Sequence, residues 1–267
     1  MYKFLLSIVV FCLSAQAVAD GAADRINGVL DASGFNKLLA RMPDFAQAVL
    51  KQSSGALEPE VNSALSAAFS SAFDVERVRR DVVGVMRSNY EQNHTETYLA
   101  LLETPLAQQM MTLERAVSDS AHHDAFRRFV SDLVQHPPEA RRSALVTQLD
   151  DANLASQFSI DMQTALFRAV FTAIEPVLDD GLRLESGELD RMVDEVRESL
   201  RDSTFERTRN AYLFAFRDID DQQLQAYVEL CQSAAYRQVV QVLGNAMVAS
   251  INHAGARAAS AMAHSLE

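Results

Sequence analysis

FSIDMQTALFRAVFTAI, residues 158–174, is the stretch on which the fold turns. Phe158, Met162, Leu166, Val170, Phe171 and Ile174 recur at steps of three and four, the period of an α-helix. Pro176 and Gly181 close the segment. Its apolar face is wider than either half of the chain needs for itself. That width predicts a helix buried among others, holding both halves in one continuous domain.

The same period runs outward in both directions. Upstream, Phe35, Leu38, Leu39, Met42, Phe45, Val49 and Leu50 mark a helix, which Pro43 should bend or interrupt. Ser53-Ser54-Gly55 ends it, and Pro59 restarts a helix at its first turn. Asp74 has the position of an N-cap before Val75, Val78 and Val82. Downstream, Leu189, Val193, Val196 and Leu200 make another amphipathic stripe. Nine glycines and six prolines in 267 residues leave few turns, and no run alternates as a strand would. The expected fold is therefore all-α, a bundle or solenoid-like array of antiparallel helix pairs. The Ala- and Ser-rich tail, 256–267, is expected to fray.

The N-terminus carries one charge, Lys3, then the apolar run Phe4–Leu13, then Ala17-Val18-Ala19 before Asp20. That is the layout of a secretory signal over 1–19 with cleavage after Ala19. The run is shorter than the roughly 20 residues a bilayer requires. A periplasmic location is the expectation, with no transmembrane span.

With 24 basic and 36 acidic residues the net charge is −12. A concentrated basic face is missing, which argues against nucleic acid or anionic lipid as a partner. The pairs Arg79-Arg80, Arg127-Arg128 and Arg141-Arg142 read as solvated helix faces. Cleavage would remove Cys12 and leave Cys231 as a single thiol, expected to be buried as a small apolar residue.

A weak internal repeat is visible. Val75-Glu76-Arg77-Val78-Arg79 is similar to Phe205-Glu206-Arg207-Thr208-Arg209, 130 positions later. After one deletion, Tyr98 falls on Tyr227, Thr104 on Ser233 and Gln109 on Gln238. The collinearity divides the chain into a first helical repeat over 20–136 and a second over 137–255, with His136-Pro137-Pro138 as the hinge. Thr104 should cap a helix that starts at Pro105, because proline at the first position loses no hydrogen bond. Ser233 should cap likewise.

Leu101-Leu102-Glu103-Thr104-Pro105-Leu106-Ala107-Gln108-Gln109 resembles the F-Y-x-[ST]-P-x-G-[QK] signature of exported bacterial proteins grouped as domain-of-unknown-function 2059. Leucines replace the aromatic pair, Ala107 replaces the glycine, and the second copy keeps only Ser233, with Tyr236 at the glycine position. The resemblance implies a small exported helical domain, present in two divergent copies. It brings no activity with it. Tyr98, Thr104, Pro105, Tyr227 and Ser233 are motif positions with structural roles.

The chain has no G-x-S-x-G elbow, Gly-rich phosphate loop, H-E-x-x-H or C-x-x-C. No catalytic, cofactor or metal site is expected. In His122-His123-Asp124 the neighbouring side chains point about 100° apart on a helix, poorly placed to share an ion. Asn93 and Glu96 suit a capping box. Asp150-Asp151, Asp179-Asp180 and Asp220-Asp221 fall at expected helix junctions, where acids cap. Met110-Met111 belong to a core.

Three functions remain. The favoured one is a non-enzymatic binding or envelope-interaction module, with tightly packed core and an apolar patch near helix ends. The second is a carrier of an apolar small molecule or lipid, with a cavity above about 300 Å³ between the halves and beside the 158–174 helix. The third is an enzyme, with a cleft where polar groups of shifted pKa converge.

Overall fold

The computed structural model describes residues 21–53, 58–117, 119–178 and 183–264. The signal segment, the Ser54-Gly55 break and Asp179-Asp180 lie outside them. Twelve α-helices and no strand occur among the described residues. They are α1 (21–32), α2 (Phe35–Ser53), α3 (Pro59–Ala72), α4 (Val75–Ser88), α5 (Gln92–Leu102) and α6 (Pro105–Val117). The second half holds α7 (His123–Leu133), α8 (Ala140–Asn153), α9 (Ala155–Ile174), α10 (Glu188–Ala215), α11 (Asp221–Cys231) and α12 (Ala234–His264). Short 3₁₀ turns, Ser120–His122 and Glu175–Val177, follow α6 and α9.

The apolar periods become the core. The 158–174 stretch is α9, whose Ile160, Leu166, Ala169, Val170, Ala173 and Ile174 are buried. Against it lies α12, 31 residues long, which also packs on α3, α4 and α5. One cluster of buried side chains runs from Ile26 to Met262 and takes in residues of both halves. The chain therefore closes on itself around α9 and α12.

Several helix starts follow the sequence. Asp74 accepts a hydrogen bond from the Arg77 amide at 3.1 Å, and Asp220 from the Gln223 amide at 2.8 Å. Pro59 opens α3 at its first turn. Other expectations are corrected. α2 runs on through Pro43, because one lost backbone bond is outweighed by the buried face Leu39, Met42, Ala46 and Leu50. The tail does not fray at 256. α12 continues to His264, with Ala258 and Met262 buried against the core. Asn93 is not a cap, since α5 already begins at Gln92. Glu96 instead accepts from Gln92 Nε2 at 3.2 Å and pairs with Arg25 at 3.4 Å. Asp150 lies in the last turn of α8, at the expected junction, and is buried.

The arginines do more than solvate helix faces. Arg142 is only 14% exposed and donates to the Phe216 carbonyl, to the Ile219 carbonyl at 2.9 Å and to Asp221 Oδ1 at 2.9 Å. It thus ties α8 to the turn between α10 and α11. Arg257 on α12 donates to Asp81 at 2.7 Å and to the Ala72 carbonyl at 3.0 Å, satisfying the end of α3. No helix among the described residues is long and apolar enough to cross a membrane.

Candidate functional site

The corner between α8 and α9 shapes a mixed apolar and polar recess beside the central helix pair. Leu154 links the two helices in the left-handed conformation, φ 52° and ψ 28°, and is the only non-glycine with positive φ among the described residues. A leucine held there costs roughly 1–2 kcal/mol. Buried Asp150 accepts from the Ser156 amide at 2.8 Å and the Ser156 hydroxyl at 2.6 Å, so the end of α8 caps the start of α9. The Leu154 carbonyl accepts from the Phe158 amide at 2.7 Å. Burial raises the Asp150 pKa although the two Ser156 bonds oppose it.

This corner aims Asn153, Leu154 and Phe158 at a cavity of about 220 Å³. Phe35 of α2 and Tyr98 of α5 close one side, and Tyr236, Val240, Leu243 and Gly244 of α12 close the other. Gly244 leaves room in the wall. A Cβ there would sit 3.5 Å from the Phe158 ring, an ordinary contact. The sole charged lining residue is Asp161, and it is already engaged by Arg197 and by Gln157 Nε2 at 3.0 Å. Some lining polar atoms are not engaged. Asn153 gives its Nδ2 to the Tyr212 hydroxyl at 2.9 Å, which leaves its buried Oδ1 without a partner. The Tyr98 hydroxyl has no hydrogen-bond partner among the described residues.

Beneath the cavity runs a buried polar and aromatic chain. The Tyr98 and Tyr236 rings lie 5.3 Å apart, and the Cys231 thiol lies close to Tyr236 and Tyr227. Tyr227 donates to Glu114 Oε1 at 3.3 Å. Burial pushes the Glu114 carboxyl up to about 7, against the opposing pull of the Tyr227 bond and Arg115. Burial first, then Glu114, pushes the Cys231 thiol up to about 12. The phenols of Tyr98, Tyr212, Tyr227 and Tyr236 are raised by burial as well. The phenols and the thiol are thus held neutral near pH 7, and the thiol is no nucleophile there. Glu114, Cys231 and Tyr227 do not line the cavity. Of the groups with shifted pKa, Tyr98 and Tyr236 line the cavity, and burial holds both phenols neutral there.

Thr104 caps α6, donating to the Leu101 carbonyl at 2.7 Å and accepting from the Ala107 amide at 3.4 Å, with Pro105 at the first position. Ser233 caps α12 by accepting from the Tyr236 amide at 3.4 Å. Tyr98 and Tyr227, paired by the repeat, are both buried, one at the cavity and one in the core below it. Met110 and Met111 are core. No group of three or more His, Cys, Asp or Glu that could hold a metal occurs among the described residues, and Asp124 pairs with Arg127 at 2.5 Å. Sequence reasoning missed Asn153, Leu154, Gly244 and Glu114. Asn153, Gly244 and Glu114 carry no local signal, because their roles come from contacts between helices distant in sequence.

Two larger hollows, about 540 and 450 Å³, are more open and more polar, the first between Asp150, Phe205 and Arg237 and the second around His123 and Phe126. No family model, curated protein or solved structure matches this chain.

Proposed function

We propose that this chain is an exported, non-enzymatic binding protein whose ligand seat is the cavity between α2, α5, α9 and α12. The observation that carries the reading is the cavity's place and content. It lies beside the 158–174 helix and is walled by α5 of the first half and α12 of the second. It holds a buried acceptor without a partner, Asn153 Oδ1, and the hydroxyl of Tyr98. At about 220 Å³ it falls short of the 300 Å³ expected of a carrier of an apolar small molecule or lipid, which limits the seat to a ligand smaller than that expectation. The separation of Glu114 and Cys231 from the cavity weighs against an enzyme.

Export to the periplasm rests on the layout of residues 1–19 and on the likeness of Leu101–Gln109 to the exported domain-of-unknown-function 2059 proteins. The proposed duplication is supported by the matched caps Thr104 and Ser233 and by the matched buried pairs Tyr98 with Tyr227 and Leu102 with Cys231.

Native mass spectrometry of the protein purified from the envelope of its own host tests the reading. An adduct that denaturation releases as a small molecule supports it. A clean mass at 20–267 contradicts it and turns the search to an envelope partner by crosslinking.

A further inference from the structure

We infer that the cavity takes a neutral molecule of one or two rings carrying a hydroxyl or carboxamide, and rejects carboxylates. The inference rests on the binding reading above and names its ligand class. Size comes first. A cavity of about 220 Å³ exceeds the roughly 150 Å³ that admits benzene and falls short of the space drug-sized ligands fill. The walls supplied by Phe35, Phe158, Leu243 and Val240 match an apolar ring. A fatty acyl chain is too large.

Charge decides the polar end. Among the lining residues there is no Lys, Arg or His, and the single acid, Asp161, is already neutralised by Arg197. A carboxylate entering would lose its hydration with no cation to receive it. A neutral hydroxyl or carboxamide, by contrast, can donate and accept at once. Asn153 Oδ1 can take its proton and the Tyr98 hydroxyl can give one back. A buried acceptor without a partner is unfavourable, and the ligand relieves it. Both groups reach the site from elements joined only by the folded core, α8 and α5, so the pair exists only in the native state.

The test uses the mature chain, stripped of any co-purified molecule by refolding, and isothermal titration with 2-naphthol, 2-methoxynaphthalene and 2-naphthoate. The expected result is binding of 2-naphthol, with the methyl ether weaker by roughly 3- to 10-fold for the lost donor. The naphthoate should be weaker by at least about tenfold. Tyr98→Phe, which keeps the ring, should weaken 2-naphthol by a similar roughly 3- to 10-fold and leave the methyl ether less affected. Naphthoate binding as well as naphthol, or no binding of any of the three, overturns the ligand class. Neither result touches the binding reading, which stands or falls on the adduct seen with protein from the host.

Discussion

Glu114 shows how a single residue can set the pH response of this protein. Its pKa is about 7 in the fold against an ordinary value near 4.5, so the native state holds its proton more tightly than the unfolded chain does. The stability this gives is complete below about pH 4.5 and is lost as pH rises to 7 and beyond. Glu114→Gln keeps an acceptor for Tyr227 and removes the charge. It should be more stable than the parent at pH 8 by on the order of 1–3 kcal/mol and nearly equal at pH 4.5, as urea unfolding at the two values would show. Cys231 gives a second check at this scale. With its thiol up to about 12 and fully buried, the folded protein should stay unmodified by iodoacetamide at pH 8 and become modified in denaturant, read by intact mass. Capping residues were legible in the sequence at Asp74, Asp220, Thr104 and Ser233, because a cap and its partner amide lie three residues apart. Asn153 and Glu114 were not, because their partners Tyr212 and Tyr227 lie far along the chain.

Among the elements, α12 carries the sharpest contrast. It contains two glycines, and the same change at each should act in opposite directions. At Gly255 a Cβ would meet the Cα and Cβ of Ala169 at 2.8 Å, so α9 and α12 approach there as only glycine allows. Gly255→Ala should cost about 1–3 kcal/mol despite the better helix propensity of alanine, since the two helices must part. At Gly244 the added Cβ meets open space and the edge of Phe158. Gly244→Ala should stabilise by up to about 1 kcal/mol. Thermal unfolding of the two variants side by side checks both signs. The periodicity of residues 158–174 made α9 legible. The end of α12 was not, because its small residues look like a solvated tail until Ala169 and the α3 end are seen to need them as close neighbours.

At the scale of the whole molecule, the halves are not lobes. α12 packs on α3, α4 and α5, while α6 packs on α10 and α11. Each half lends the other its apolar face. Expressed alone, 20–136 and 137–267 should each show helical circular dichroism without dispersed amide signals, and should regain dispersion when mixed. Well-folded separate halves would contradict the shared core. A single continuous domain was legible from the excess apolar face of α9. The cavity was not, because it arises where α2, α5, α9 and α12 fail to fill the space at Gly244, and no local pattern encodes a gap. The central claim is that this gap is a ligand seat. Paired native mass spectra of the parent and Gly244→Leu, both taken from the host envelope, test it most directly. The account predicts a small-molecule adduct on the parent that is lost when leucine fills the cavity, with helicity unchanged. An adduct of equal abundance on both proteins, or on neither, would contradict it.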